Sequence, residues 1–259
     1  MGVQKCVAWL RGLGSGALRK RYDVLNRFAA RRGYQSYLEI GIASGRCLER
    51  VRVADKTGVD PSSPLKNSDL RESVLLNGLF VATTRRFTRS RASSPAWKLR
   101  SMTSDEFFDE NQRTFDLIFI DGLHLADQVL RDVYNSLAVL NPGGALLLHD
   151  CNPADERAQT RDVDLAEGST WNGDTWKVIA FLRRKRPELF TRVLDLDYGI
   201  GVVIPGEREK HPVLADDVGR ANGLFAELTY EELERDRGQT LGLVTAQELE
   251  NELAELGIW

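Results

Sequence analysis

The sequence predicts an α/β fold: a seven-stranded mixed sheet with helices on both faces, plus helical extensions at either end. Three observations lead there. Short apolar runs alternate with stretches of helical spacing, the pattern of a parallel sheet covered on both sides. Phe115–Asp121 (FDLIFID) is almost continuously apolar, as expected for a strand buried on both faces. Arg192–Asp197 and Ile200–Ile204 flank Tyr198-Gly199 and read as an antiparallel closing pair.

In chain order, Gln4–Arg32 reads as one or two amphipathic helices broken at Gly12, Gly14 and Gly16. Tyr37–Ile42 is the first strand and Arg46–Val53 its helix; Thr57–Asp60 is a short second strand stopped by Pro61. Trp97–Met102 supplies the third strand. Apolar spacing through Leu125, Val129, Val133 and Leu137 predicts a helix over His124–Leu140, ended by Asn141-Pro142-Gly143-Gly144. Ala145–His149 is the next strand, and Trp176–Arg184 a further helix. Leu228–Leu253 reads as a helical extension with Tyr230, Leu233 and Leu241 on apolar faces, a surface suited to forming a homo-oligomer. The predicted divisions are a basic helical arm (1–34), a central domain (35–206) and an acidic helical extension (207–259). Pro64–Pro95, with Arg85, Arg86, Arg89 and Arg91, and Asn152–Asp174 stand outside this rhythm; loops of that length tend to be functional or disordered.

Composition narrows the function classes. A net charge of −3 over 259 residues gives no reason to expect nucleic acid as a partner. Cys6, Cys47 and Cys151 form no CxxC pair, which argues against a disulfide framework or zinc knuckle and for a reduced, cytoplasmic setting. No apolar run is long enough to predict a transmembrane segment.

The chemistry-bearing residues gather where the predicted strands end. The first strand runs into Glu39-Ile40-Gly41-Ile42-Ala43-Ser44-Gly45, where Gly41 permits a tight turn and Gly45 a close helix start. A dinucleotide fingerprint needs a glycine where Ala43 stands, so a pyrophosphate is disfavoured. Asp60, at the end of the second strand, is placed to accept hydrogen bonds from ribose hydroxyls. Asp121-Gly122-Leu123-His124 follows the fourth strand, and His149-Asp150 ends the fifth. On neighbouring strands, Asp121 and Asp150 would lie roughly 5 Å apart and repel each other unless a proton or a hard cation such as Mg²⁺ lay between them. His124, with a near-neutral pKa, is the candidate general base; His149, inside an apolar strand, reads as a core histidine. The Trp171–Lys177 turn suits either a cover over a substrate or a helix cap at Asp174.

LEIGIASG, GVDPS, FDLIFIDGLHLADQVLRDV and LNPGGALLLHDCNP together resemble class I S-adenosylmethionine-dependent methyltransferases, which have a Rossmann-like fold. More narrowly they resemble the D-G-x-H…H-D branch, which includes macrolide-sugar O-methyltransferases and cephalosporin hydroxylase-like proteins. The resemblance spans about residues 35–206. It implies that Glu39, Gly41, Ala43 and Gly45 line the methionine part of S-adenosyl-L-methionine, that Asp60 holds its ribose, and that Met102, Thr103 and Ser104 flank its adenine. Asp121 and Asp150 match positions that bind a divalent metal in some members, and His124 matches a proposed base. Several metal-dependent relatives have paired aspartates where this chain has His149-Asp150. The expected reaction is methylation of a hydroxyl on a small molecule or glycosyl group, metal-assisted if Mg²⁺ binds. The rival readings are a nicotinamide oxidoreductase and a non-catalytic nucleoside-binding subunit.

Overall fold

The computed structural model describes residues 18–63, 97–166, 168–206 and 215–259. The predicted helix before Leu18, Cys6 and the arginines at 85–91 lie outside the described residues. In chain order the elements are α1 (Arg21–Arg32), β1 (Ser36–Ile40), α2 (Arg46–Arg50), β2 (Asp55–Val59), β3 (Trp97–Arg100), α3 (Ser104–Glu110), β4 (Phe115–Ile120) and α4 (Ala126–Ala138). They continue with β5 (Leu140–Leu148), α5 (Trp176–Lys185), β6 (Leu189–Leu194), β7 (Ile200–Pro205), α6 (Ala215–Glu227), α7 (Tyr230–Arg235), α8 (Arg237–Leu241), β8 (Leu243–Val244) and α9 (Ala246–Glu255).

These strands form one mixed sheet in the order β3-β2-β1-β4-β5-β7-β6-β8. β3, β2, β1, β4 and β5 run parallel, whereas β7 is antiparallel to both β5 and β6. The sheet has eight strands, one more than predicted. β8 is two residues long and pairs with β6, too short to leave any period in the sequence.

Strand alternation fills a core on each face. From β4 and β5, Ile118, Ile120, Leu146 and Leu148 meet α3 to α8, while Leu117, Phe119, Ala145 and Leu147 meet α1, α2 and α9. Helix α1 buries Val24, Leu25, Phe28 and Ala29 in the second core and ends at Gly33 in the left-handed region.

Three of the shifted boundaries have a visible cause. Asn141–Gly144 lies within β5 and does not close the preceding helix; a register irregularity against β4 accommodates it. Helix α4 starts at Ala126, two residues later than predicted, because the Asp174 carboxylate accepts the Ala126 N–H from a distant loop. Leu228–Leu253 is divided by its own caps. Asp236 accepts the Gln239 N–H to open α8, Gly242 closes it in the left-handed region, and Thr245 with Glu248 forms a capping box for α9. Among the described residues, no helix is long and apolar enough to cross a membrane.

Candidate active site

The order of β2, β1, β4 and β5 places a topological switch point between β1 and β4, where ligands bind beyond the strands' carboxyl ends. Gly41 and Asp121 follow these two strands directly, and the Asp121 N–H donates to the Ile40 carbonyl. Gly41 has φ +81°, and a Cβ there would fall 2.1 Å from the Asp121 carbonyl oxygen. Only glycine lets the two strand ends come this close. Ala43 takes φ 43°, entering the left-handed region without glycine's freedom.

A cavity of about 310 Å³ opens here, lined by Arg21, Glu39, Gly41, Ile42, Ala43, Ser44, Cys47, Asp121 and Asp197, among others. Glu39 is 1% exposed and accepts the Tyr37 hydroxyl at 2.6 Å. Burial raises its carboxyl to about 8, so it is largely protonated at neutral pH. The same burial raises the neighbouring Cys47 thiol far above its usual range.

Asp60 supports the turn from beneath. Its Oδ2 accepts the N–H groups of Ile42 (3.0 Å) and Ala43 (2.8 Å), and its Oδ1 accepts that of Ser62. Asp60 is therefore adjacent to the cavity without lining it. Gly45, with φ +70°, opens α2 and also stands off the lining. Met102, Thr103 and Ser104 follow β3, away from this cavity. Met102 packs on the core beneath, and Thr103 forms a capping box with Glu106 at the start of α3.

Asp121 faces two ways. Its Oδ2 accepts from Arg21 Nη1 at 2.5 Å, while its Oδ1 lies 3.5 Å from His124 Nε2 and 3.2 Å from His149 Nδ1. Asp150 Oδ2 completes the group, 3.3 Å from His124 Nε2 and 2.8 Å from His149 Nδ1. Asp150 is 3% exposed, holds φ 59°, and accepts from Asn172 Nδ2. A non-glycine residue in that conformation persists only where its surroundings over-determine it.

His149 was expected to be a core histidine. It is buried, yet Asp121, Asp150 and Asp197 surround it, with Asp197 Oδ2 3.8 Å from Nε2. Burial alone would depress its pKa, but the three carboxylates prevail and raise it to about 11. The carboxylates thus favour the charged form of the His149 imidazole, which lies between Asp121 and Asp150. For His124 too, burial pulls the pKa down and Asp121 and Asp150 pull it up, with a net rise. Burial would raise Asp121, but His124, His149 and Arg21 hold it well below the usual carboxylate range.

One segment, Trp171–Asp174, packs against His124 and Asp150. The Trp171 indole stacks on the His124 ring with centroids 5.0 Å apart. Asn172 holds Asp150, and the Asp174 N–H donates to the His124 carbonyl. The cap expected of Asp174 exists, but it serves α4 and not the helix that follows Asp174 in sequence.

Asp121, His124 and Asp150, all singled out from sequence, therefore meet. One ligand atom from each lies within 4.8 Å of the others, a geometry able to hold a metal ion. Sequence reasoning misses Asp197 and Arg21 as site residues, and it offers Asn172 only as part of the Trp171–Lys177 turn. Asp197 sits in the β6–β7 turn with φ 50°, and the chemistry-poor stretch Asp197-Tyr198-Gly199 signals only a hairpin in sequence.

Residues 38–151 match the family described as methyltransferase domain. No curated protein matches the chain. Among solved structures it resembles one from Klebsiella pneumoniae assigned as an O-methyltransferase (14% identity, 78% of this chain and 89% of that one covered, TM-score 0.50). It also resembles the cofactor-bound Rv0187 protein from MTB (11% identity, 80% and 90% covered, TM-score 0.51). At such identities the likeness shows the shared fold. Residues 38–151 thus match a methyltransferase domain, and the chain has the fold of the class I methyltransferases.

Proposed function

We propose that this protein transfers a methyl group from S-adenosyl-L-methionine to a hydroxyl oxygen of a small molecule, of which a glycosyl group is one candidate. The placement of Asp121 carries this reading: it lines the cavity beside the Gly41 turn and also groups with His124 and Asp150. The name of the Klebsiella structure and the cofactor-bound state of Rv0187 agree with it. The donor supplies an activated methyl on a sulfonium and departs as the neutral thioether. Glu39, Gly41 and Ala43 would border its amino-acid end, with Asp60 on the ribose side and Met102, Thr103 and Ser104 beyond.

His124 serves as the base: its Nε2 takes the hydroxyl proton as the oxygen bonds to carbon. Trp171 and Asp121 fix the ring, and positioning of this kind supplies much of the rate in a displacement. In a second reading, Asp121, His124 and Asp150 hold a divalent cation beside the hydroxyl. The 4.8 Å grouping of their ligand atoms favours it. Two carboxylates plus an imidazole suit Mn²⁺ or a similar ion at least as well as Mg²⁺. The two roles of His124 exclude each other on the same nitrogen.

The test is calorimetry with S-adenosylmethionine, S-adenosylhomocysteine and NADH, then methyl transfer across a panel of hydroxylated acceptors. The first two ligands bind and NADH does not; His124→Gln keeps donor affinity and loses ~10²–10⁴-fold in kcat. Binding of NADH alone would retire the proposal in favour of an oxidoreductase. Donor binding without turnover on any acceptor would favour a binding subunit.

A further inference from the structure

The cavity beside the Gly41 turn is lined by Lys20, Arg21, Arg46 and Arg50, against Asp121, Asp197 and Glu39. Both aspartates are already engaged from within the chain. Asp197 accepts from Lys20 Nζ at 2.7 Å and from Arg21 Nε at 3.1 Å, and Asp121 accepts from Arg21 Nη1. Glu39, buried against Tyr37, is largely uncharged at neutral pH. The lining therefore has cationic capacity left over, and an anionic group is the chemistry it lacks.

Among those cations Arg21 is singled out by geometry. Lys20 is 54% exposed at its side chain, Arg46 is exposed, and the Arg50 guanidinium lies over the Tyr22 ring. Arg21 is only 26% exposed, and its guanidinium is clamped at Nε and Nη1 while the Arg21 backbone N–H also donates to Asp197. Its remaining nitrogen, Nη2, has no partner among the described residues. A guanidinium fixed at Nε and Nη1 with Nη2 open loses little further entropy when it donates to a carboxylate.

We infer that Arg21 recognises the α-carboxylate of the methyl donor's amino-acid end, making the helical arm part of the donor site. This rests on the donor reading above and adds a specific ligand group to it. The sequence hid it, because Arg21 is one of a run of basic residues that reads as a solvated helix face.

Removing the partner on each side tests the contact. Calorimetry compares S-adenosylmethionine with decarboxylated S-adenosylmethionine, which keeps the adenosine and sulfonium, on the wild-type protein and on Arg21→Met. The wild type should prefer the carboxylated donor by at least ~10-fold, the size of one charge-assisted hydrogen bond. Arg21→Met should erase that preference while leaving affinity for the decarboxylated analogue near its wild-type value. If Arg21→Met does not fold, Arg21→Gln, which keeps an amide donor toward Asp197, takes its place. Equal wild-type affinity for both ligands overturns the inference, as does an equal loss for both in the variant. If neither ligand binds the wild type, the donor reading itself falls.

Discussion

The indole of Trp171 lies on the imidazole of His124, centroids 5.0 Å apart and planes inclined by 28°, while its Nε1 donates to the Thr160 carbonyl. The tryptophan is thus pinned to the long loop and in turn fixes the face of the histidine. Trp171→Ala should lower kcat by about tenfold with little change in KM for the donor, and Trp171→Phe should restore most of it, because loss of orientation costs rate before it costs binding. Steady-state kinetics of the two variants decide this, and equal damage in both would point to a purely structural role.

Gly173 adjoins this contact. It has φ +59°, and a Cβ would fall 1.8 Å from the His124 carbonyl oxygen. Gly173→Ala should therefore lose at least ~2 kcal/mol of stability, combining left-handed strain with a backbone clash. Urea unfolding measures the loss.

Glu39 makes stability depend on pH. Its native pKa of about 8 stands above the ordinary 4.5, through burial, with Tyr37, Cys47, Asp121 and Arg21 as neighbours. The folded chain keeps this proton between pH 4.5 and 8, where the unfolded chain releases it. The group's contribution is complete below pH 4.5 and disappears as pH rises through 8. Relative to the non-titrating Glu39→Gln, the wild type should lose a few kcal/mol across that window, at ~1.4 kcal/mol per pKa unit. Parallel denaturation curves for the two proteins would contradict the assignment.

Metal titration separates the two roles open to His124. If Asp121, His124 and Asp150 ligate, calorimetry will show one Mn²⁺ per chain, bound at least as tightly as Mg²⁺, and Asp150→Asn will abolish it. Absence of binding leaves the His149 imidazole between the two aspartates and His124 available as the base.

Lys56 tests a structural element on the same face of the sheet as the cavity. Its ammonium is buried and donates to the carbonyls of Leu48, Glu49 and Val51, capping the end of α2. Lys56→Met should leave these carbonyls unpaired and cost ~1–3 kcal/mol. Thermal and urea denaturation report it.

The sequence by itself determined the alternation of strands and helices, the glycine turn after β1, and the strand-end positions of Asp60, Asp121, His124 and Asp150. These are local signals: a period, a turn residue, an acid ending an apolar run. Only the tertiary structure decided that His149 is a charged partner of three aspartates, that Asp174 caps α4 from a loop, and that Arg21 and Asp197 reach the same crevice. Arg21 and Asp197 are 176 residues apart in the chain. No periodicity links such distant positions, so their chemistry exists only once the sheet has formed and the helical arm has packed on its face.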